Sequence, residues 1–465
     1  MVELKDRIEI LLVEVSPAET RIAVVDEKNS LLEFHIDRIN KKSLVEGVYQ
    51  GRVVRVEKGI DAAFLDVGIG ENVFMSRPGK VHEGEKITVQ VSRNAGGGKP
   101  PQVRKRIEVA GRYVVYLPNE SGIRWPSNLK SGRLREELET NFVEVVQMKG
   151  GWALRPQSAR TDIDTIRREM CRLKGLWEGV DLSNGLTPKC ILPPPSILER
   201  ILRDRTADGS VIVDDRSMLL ELQKRISLGE LKELDDLLFH DEHEPLFETY
   251  GVNDCLDEAQ SPVIVLRNGG RITIETTRAL TAIDVDLGGS AGKQRSEEAV
   301  FGMNNAAAEV IPKQLRLRNI AGLIVVDFIG MRRKDHRRKL VERFKREFRY
   351  AALPVDVLGM TAAGLIEVTR RRDGFSLDEM MLGSSLAGVQ LSSESLASQA
   401  LRDLLQTRGA GKYRLSVSAG VERVLSGDFK SAFDETVRRL GGALTMIEDP
   451  SEMEYRIERE LGKSL

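Results

Sequence analysis

This sequence of 465 residues has few cysteines, no long apolar run and almost no net charge. Its three cysteines, Cys171, Cys190 and Cys255, lie far apart, which excludes a disulfide framework and any zinc site built from cysteine alone. No apolar run approaches the roughly 20 residues that cross a bilayer, and acids and bases interrupt the apolar N-terminus, so we expect no membrane span and no secretory signal. With 70 basic and 71 acidic residues the net charge is −1, which excludes a polybasic protein but not a local basic surface. A reducing, cytoplasmic location is expected.

The composition is that of a globular protein with ample core material, because 41% of the residues are hydrophobic and 30% are charged. At roughly 100–200 residues per domain, the length predicts about three folded units. Residues 1–45 alternate apolar and polar positions and predict three short strands. From Val48 onward, short strand patterns separated by glycine predict a small closed barrel of the OB type, followed by a Gly/Pro loop at 94–102.

The rest of the chain predicts a layered mixture of helices and strands. Strands alternate with helices after Pro262, which is typical of an α/β or α+β domain. The Ser-rich stretch at 383–399 predicts a linker, and a compact α/β tail follows it. In chain order we further predict strands and a charged helix (about 161–179) within 109–192, a helix after the prolines at 193–195, an acidic loop at 240–245, a helix from Glu297 to about Arg318 and a basic helix at 331–349.

Carboxylates stand at the ends of two apolar strand patterns. Asp284 and Asp286 precede a Gly-Gly turn, and Asp327 follows four consecutive apolar residues. Ligands of open α/β layers collect at the carboxyl ends of strands, and Mg²⁺ usually takes one or two protein carboxylates. Such an ion would support phosphodiester hydrolysis. The alternative is that each aspartate caps a turn or pairs with an arginine, and the spacing alone does not decide between the two.

The segment 331–349 has ten basic residues and three acidic ones in a chain that is nearly neutral. It begins four residues after Asp327, so we expect a basic helix beside the carboxylates, and its positive field suits a nucleic-acid backbone. The alternative is a solvated helix face whose charges form ion pairs.

The barrel segment has two phenylalanines on neighbouring strand patterns, Phe64 and Phe74, with the cations Arg93 and Lys99 just beyond them. Aromatic residues make up only 5% of the chain, so this placement carries weight. Exposed aromatics next to cations form the stacking platforms of proteins that bind single-stranded nucleic acid. The alternative is that both rings belong to the core of the barrel.

Several segments together resemble the bacterial ribonuclease E/G family: 48–68, LTAIDVD at 280–286, 297–329 and GLIEVTRRR at 364–372. The match is strongest from about 262 to 372 and co-linear elsewhere. The resemblance implies a Mg²⁺-dependent endoribonuclease that cleaves single-stranded RNA and leaves 5′-phosphate and 3′-hydroxyl ends. Its RNA substrates would be rRNA precursors, mRNA or tRNA precursors.

The fold that the resemblance implies is α+β and multidomain: an RNase H-like subdomain interrupted by an S1-type OB barrel and a 5′-sensor, then a DNase I-like catalytic subdomain and a small C-terminal α/β domain. The expected bounds are a first RNase H-like segment at 1–45, barrel at 46–108, 5′-sensor-like at 109–193, a second RNase H-like segment at 194–261, DNase I-like at 262–380, linker at 381–399 and small C-terminal domain at 400–465.

Carried over by residue, Asp284 and Asp327 match the family's two metal-binding aspartates. Asp286 stands where the family has an asparagine beside the catalytic centre, and we include it in the expected catalytic set because its charge would tune the metal or a neighbouring carboxyl. The aromatic pair, Lys99 and Arg93 match the surface of the barrel that holds RNA.

The expected 5′-sensor departs from the family pattern. Gly111 and Val115, the backbone part of its pocket, are kept, and so is Arg155. The threonine that follows in the family is Pro156 here, and the downstream arginine is replaced by Pro354. Proline offers neither a hydroxyl nor an amide donor, so we expect weakened recognition of a 5′-monophosphate.

The zinc-linking CPxC motif of the family is missing, because residues 383–390 read GSSLAGVQ. No zinc is expected, and a homodimer through the small C-terminal domain stays open only if it is not zinc-linked. Two other functions also stay open: a catalytically degenerate RNA-binding protein on the same scaffold, and a DNA nuclease with the same metal chemistry.

Overall fold

A computed structural model describes most of the chain. The described residues are 9–96, 98–126, 135–136, 140, 150–180, 188–205, 209–231, 234, 236–288, 296–348, 354–371, 374–385, 388–407, 411–441 and 444–460. They belong to two compact units. Unit 1 comprises Met1–Lys41, Asp208–Glu221 and Asp235–Leu465, and unit 2 comprises Lys42–Ala207 and Leu222–Leu234.

The strands are β1 (Glu9–Val15), β2 (Glu19–Asp26), β3 (Leu31–Arg38), β4 (Val48–Glu57), β5 (Ala62–Asp66), β6 (Asn72–Ser76), β7 (Lys86–Arg93), β8 (Gln102–Arg104), β9 (Val109–Ala110), β10 (Val114–Leu117), β11 (Gly122–Arg124), β12 (Gly151–Leu154), β13 (Lys189–Leu192), β14 (Val211–Val213), β15 (Leu237–Phe239), β16 (Val263–Val265), β17 (Arg271–Thr276), β18 (Thr281–Asp286), β19 (Gly322–Asp327), β20 (Val355–Met360), β21 (Ile366–Arg370), β22 (Leu382–Ser385), β23 (Gly388–Leu391), β24 (Lys412–Val417), β25 (Leu444–Glu448) and β26 (Tyr455–Glu460). The α-helices are α1 (Ile163–Glu178), α2 (Ile197–Asp204), α3 (Arg216–Ser227), α4 (Leu246–Thr249), α5 (Val252–Gln260), α6 (Glu297–Leu317), α7 (Lys334–Glu347), α8 (Leu377–Met381), α9 (Ser393–Gln406), α10 (Ala419–Ser426) and α11 (Lys430–Arg439).

The first sheet of unit 1 has the strand order β15-β14-β1-β2-β3. The antiparallel strands β1, β2 and β3 are the three that the N-terminal alternation predicts. Strand β14, from a distant part of the chain, lies parallel to β1 with Ile212 opposite Leu12. Helices α4 and α5 pack on this sheet through Phe247 and Leu256. These two helices were not predicted from the sequence, because the acidic stretch before them is typical of a loop.

The second sheet of unit 1 has the order β16-β17-β18-β19-β21-β20. The predicted helix from Glu297 is confirmed as α6, and the predicted basic helix is α7, which begins at Lys334 rather than at residue 331. Both helices contribute to one core with alternate residues of β18 and β19, so a single face of the sheet is covered by helices. The other face carries the remaining alternate residues, which are Ala282, Asp284 and Asp286 of β18 and Leu323, Val325 and Asp327 of β19.

The third sheet of unit 1, β25-β24-β26, packs against α9, α10 and α11 in the C-terminal region of the chain. The predicted linker at 383–399 is wrong, since this stretch contains the β22–β23 hairpin and the first half of α9. Its serines have structural roles: the side chain of Ser392 caps α9 by accepting from the amide of Ser395, and Ser398 is fully buried. Leu396 and Ala400, four residues apart, face the core.

The barrel of unit 2 is a sheet of order β13-β4-β5-β6-β8-β7 that closes through a further pairing of β4 with β7. The predicted closed barrel is therefore confirmed in its coarse form. Within it, Ala63, Leu65, Val73 and Met75 point inward and are at most 2% exposed. The short strand β8 was not predicted, because it directly follows the Gly/Pro loop.

Unit 2 also contains a sheet of order β11-β12-β10-β9, and α1 packs on it. Helix α1 confirms the charged helix predicted near 161–179. Helix α2 confirms the one predicted after the prolines, and the Ser196–Glu199 capping box fixes its start. The predicted strand EVVQM at 144–148 lies outside the described residues. No helix in the described portion of the chain is long and apolar enough to span a membrane.

Candidate active site and RNA-binding surfaces

Two aspartates lie side by side on the second sheet of unit 1. Strands β18 and β19 are parallel neighbours, and their register pairs Asp284 with Asp327. Neighbouring strands are about 4.8 Å apart, so the two carboxylates project from adjacent positions on the same face. Ile283 and Val326, which precede them, are buried against the helices, whereas both aspartates are exposed. The strand register therefore brings together the two aspartates that the sequence singles out.

No arginine or lysine among the described residues lies within ion-pairing distance of this pair, so neither Asp284 nor Asp327 forms an ion pair with either. Partial loss of hydration raises the pKa of Asp284, and the negative charges of Asp327 and Asp286 raise it further. A bound cation would remove that cost.

The two carboxylates of this pair suit Mg²⁺ better than a metal ion whose ligands all come from protein side chains. The described residues contain no group of three or more histidine, cysteine, aspartate or glutamate side chains that could hold a metal. Mg²⁺ needs hard oxygen ligands, keeps several waters and is commonly held by one or two carboxylates together with substrate phosphates. Two adjacent aspartates meet that requirement.

Asp286 has a different environment from the other two aspartates. Its Oδ1 accepts from Arg271 Nε at 3.3 Å and from the amide of Gly288 at 2.5 Å. Arg271 is its register partner on β17, so the ion pair follows from the hairpin. The alternative that an aspartate caps a turn and pairs with arginine therefore describes Asp286, whereas no ion pair of this kind occupies Asp284 or Asp327 among the described residues.

Two further polar residues of the site were missed by the sequence analysis. Thr273 is the register partner of Asp284 on β17. Asn304, fully buried on α6, accepts from the amide of Ile329 at 3.0 Å and donates to its carbonyl at 2.8 Å. This double contact fixes the backbone just after Asp327. Only the strand register identifies Thr273. For Asn304 the sequence does contain a signal, because it is a lone asparagine in the apolar stripe of α6.

The predicted position of the basic helix beside the carboxylates is wrong for most of its length. Leu340 and Phe344 of α7 lie in the same core as Val326. Because successive residues of a strand point to opposite faces, Asp327 faces away from this core. Most of α7 therefore lies across the sheet from the carboxylates, although only six residues separate its first turn from β19.

The phenylalanines of the barrel lie on its outer surface. Phe64 and Phe74 are register partners on β5 and β6, and their ring centroids are 5.7 Å apart in an edge-to-face arrangement. Both side chains are half-exposed, while the flanking Ala63 and Leu65 are fully buried. The alternative that the two rings form the core of the barrel is therefore wrong.

Cations flank this aromatic pair within the same barrel. The guanidinium of Arg55 lies 4.9 Å from the ring centroid of Phe64. On the other side, Gln102 is the register partner of both Phe74 and Arg93, so one row of side chains crosses five strands from Arg55 to Arg93. Lys99 is exposed in the loop before β8. Arg55 was missed because a bulge in β4 sets its register.

The backbone of the expected 5′-sensor is held by an internal carboxylate. Glu169 of α1 accepts from the amides of Arg112 and Tyr113 at 2.7 Å each and of Val114 at 3.0 Å. A Cβ at Gly111 would lie 2.5 Å from the Glu169 Cδ, so glycine is needed there for this close approach. Successive amides of this kind form an anion-binding concavity, and here a side chain of the same unit fills it.

The other expected sensor residues lie near this loop or in unit 1. The Arg155 guanidinium donates to Asp204 Oδ1 at 2.5 Å. Pro156 opens a short 3₁₀ helix, where its lack of an amide proton costs little. Val115 is half-buried in β10. Pro354 belongs to unit 1, where it is exposed just before β20.

Comparison with known proteins identifies the class to which this fold and site belong. Residues 108–373 match the model of the Ribonuclease E/G family, and the chain belongs to that family. The protein is an endoribonuclease, and the resemblance drawn from its motifs is confirmed.

Individual relatives cover most of the chain. It is similar to ribonuclease G of Haemophilus influenzae, with 30% identity over 405 residues that cover 80% of this chain and 81% of the relative. It is also similar to ribonuclease G of Salmonella typhimurium, with 26% identity over 95% of this chain and 97% of the relative. Ribonuclease E of a Nostoc species is 29% identical over 77% of this chain and 57% of the relative.

Proposed function

We propose that this endoribonuclease depends on Mg²⁺, cleaves single-stranded RNA and leaves 5′-phosphate and 3′-hydroxyl ends. Its substrates would be rRNA precursors, mRNA or tRNA precursors in the cytoplasm. The observation that carries the proposal is the pairing of Asp284 with Asp327 in register, on an exposed sheet face and without a basic partner among the described residues.

Within this site the chain supplies ligands and a rigid backbone. Asp284 and Asp327 would hold the ion through carboxylate oxygens. A bound Mg²⁺ supplies Lewis-acid stabilisation of the phosphodiester and makes a water more acidic. Asn304 would keep the segment after Asp327 in place, and Thr273 would offer a hydroxyl next to Asp284.

The barrel would hold the RNA strand. Phe64 and Phe74 are partly exposed on the outer surface of the barrel, where bases would stack on them, and such stacking tolerates any base. Arg55 contacts Phe64, Arg93 lies in the same cross-strand row, and Lys99 is exposed in the loop before β8. These three cations would contact phosphates.

The same proposal includes weak sensing of the 5′ end. Pro156 removes a hydroxyl and an amide donor next to Arg155, and Pro354 replaces a cation. We therefore expect RNAs with a 5′-monophosphate, a 5′-triphosphate and a 5′-hydroxyl to be cleaved at near-equal rates. A strong preference for the monophosphate would contradict this aspect of the proposal.

We further propose the subdomain architecture that the resemblance implies, with RNase H-like and DNase I-like subdomains in unit 1 and an S1-type barrel and 5′-sensor in unit 2. Residues 400–465 would form the small domain through which two copies associate. That dimer would form without zinc, because the CPxC motif is missing.

The test is the isosteric variant Asp327→Asn. It should lose Mg²⁺-dependent cleavage of an A/U-rich single strand and keep its affinity for that strand, measured in EDTA. Asp356→Asn serves as the matched control, since Asp356 is another exposed aspartate of the same sheet and should leave cleavage unchanged. Wild-type activity in Asp327→Asn would refute the assignment.

The same assay separates the alternatives. A wild-type protein that binds RNA but cleaves nothing with Mg²⁺ would be a degenerate RNA-binding protein. Equal cleavage of a DNA strand of the same sequence would favour a DNA nuclease.

A further inference from the structure

Helix α7 has one buried face and one broad exposed face. His336, Leu340 and Phe344 lie four residues apart and are at most 6% exposed. They dock the helix against the second sheet of unit 1 and against α6. The opposite face of α7 is therefore in solvent.

Most of the positive charge near this exposed face is not neutralised. Arg333 and Arg343 form ion pairs, and Lys339 approaches Asp335 at 4.0 Å. Glu342 is the one acid of the helix with no ion pair in the described structure. The cations in and just before α7 that pair with no acid among the described residues are Arg332, Lys334, Arg337, Arg338, Lys345 and Arg346.

Three of these cations form a stripe along one side of the exposed face, and the half-buried Val341 lies in the same row. Lys334, Arg338 and Lys345 are separated by four and seven residues, so at 3.6 residues per turn they lie within about 40° of one another. The stripe is about 16 Å long at 1.5 Å per residue. A row of exposed cations of this length fits an extended polyanion better than a compact ligand.

This cationic stripe lies on the opposite side of the sheet from the candidate active site. The core residues of α7 pack on the face that holds Val326, and Asp327 points away from that face. The sheet therefore lies between the stripe and the two carboxylates. We propose that the cationic stripe of α7 is a second RNA-binding surface, which holds the phosphate backbone of a long RNA at a distance from the cleavage site.

RNA is the polyanion that the rest of the molecule favours. The stripe belongs to the same unit as the aspartate pair of an endoribonuclease, and it offers phosphate contacts without aromatic side chains, so it would bind backbone and not read sequence. The identity of the polyanion rests on the proposed function. The binding itself does not require cleavage.

The test variant replaces the three stripe cations together: Lys334→Gln, Arg338→Gln and Lys345→Gln. Binding is measured in EDTA to an RNA of about 40 nucleotides and to a hexanucleotide, over a range of salt concentrations. Each lost contact lowers the slope of log K against log salt by about 0.7 for a single strand, so the long RNA should show a slope smaller by about 2 and an affinity at least about tenfold lower at 0.1 M salt. The hexanucleotide, held near the aspartates or on the barrel, should show no change.

A matched control removes the same charge from a different helix of unit 1. Helix α11 has three cations, and each of them forms an ion pair within the helix: Lys430, Arg438 and Arg439. Their replacement by glutamine should leave both affinities unchanged. An unchanged thermal unfolding midpoint in both triple variants shows that the fold is intact.

Several results would overturn the proposal. These are an unchanged slope and affinity for the long RNA, an equal loss in the control variant, or an equal loss on the hexanucleotide. Binding to anionic phospholipid vesicles that disappears in the stripe variant, while RNA binding stays intact, would assign the surface to a membrane instead. Failure of the proposed function looks different, because it would abolish Mg²⁺-dependent cleavage in the wild type without altering these affinities.

Discussion

The pair of Arg271 with Asp286 should set how tightly the neighbouring aspartates hold Mg²⁺. Asp286 lies two residues beyond Asp284 on β18, a separation of about 7 Å along the strand. A unit charge about 7 Å from a divalent ion interacts with it by about 1.2 kcal/mol in water-like surroundings. That energy corresponds to a change in affinity of about eightfold.

The two charges of the pair act in opposite directions on the same ion. Arg271 Nε is 3.3 Å from Asp286 Oδ1, so both charges are at similar distances from the aspartate pair and nearly cancel in the wild type. Asp286→Asn leaves the arginine alone and should weaken Mg²⁺ binding by about eightfold. Arg271→Ala leaves the carboxylate alone and should strengthen binding by a similar factor, while the double variant should return close to the wild type.

The assay needs low salt and two readouts. At about 0.01 M ionic strength the screening length is about 30 Å, so the effect is close to its full size. The half-saturating Mg²⁺ concentration for cleavage is one readout, and the loss of the free Mn²⁺ resonance in electron paramagnetic resonance is the other. Asparagine keeps an oxygen for the amide of Gly288, and the pair is half-exposed, so the free energy of unfolding should change by less than about 1 kcal/mol.

Two results would refute this prediction: both single variants shift the Mg²⁺ affinity in the same direction, or neither variant shifts it by more than twofold. A shift that appears only in cleavage and not in Mn²⁺ binding would also contradict it, because the two charges are expected to act on the bound ion and not on the RNA.

Three further outcomes are expected. Phe64→Ala and Phe74→Ala should each weaken the binding of single-stranded RNA by about 1–3 kcal/mol in a fluorescence titration. The loss in the double variant should be less than additive because the two rings touch. Phe64→Tyr should bind like the wild type. Burial and the charge of Glu14 raise the pKa of Asp214 to about 7. Since the unfolded side chain ionises near pH 4, the free energy of unfolding should fall by up to about 4 kcal/mol between pH 4 and 7. Asp214→Asn should remove that decline in urea titrations at pH 5 and 8. Matched RNAs that differ only at the 5′ end should be cleaved at rates within about threefold of one another. A threefold ratio corresponds to less than 1 kcal/mol in activation free energy.

The N-terminal strands could be predicted from their alternation of apolar and polar residues, since a period of two is typical of a strand. The structure nevertheless covers both faces of β1 and β2, where four and five consecutive residues are buried. Their polar positions include Glu14 and Arg21, which are buried and pair with each other. Helix α9 could not be found from composition, since its serines suggested a linker. In the structure they cap the helix or lie in its core, and the apolar period that marks the helix runs through Leu396 and Ala400.

Some of the candidate site was equally predictable. Two aspartates at the ends of apolar strands indicate a shared edge, and the register of β18 with β19 agrees. The partner of Asp286 was not predictable, because which arginine faces it depends on the exact register of the β17–β18 hairpin. The basic helix was placed too close to the carboxylates, since closeness in sequence to Asp327 says nothing about the face on which the helix packs.

The alternation of side chains in the second sheet therefore places the aspartate pair and the basic helix α7 on opposite faces, although Asp327 and α7 are close in sequence. From Ile324 to Asp327 the side chains alternate, so Ile324 and Val326 join the core with α6 and α7, whereas Val325 and Asp327 lie on the open face. A register shift of one residue would bury Asp327 beneath the helices and expose Val326. The same alternation that pairs two aspartates in solvent thus requires that α7 pack behind them, and any RNA that contacts both the cationic stripe and the aspartates has to pass around the edge of this sheet.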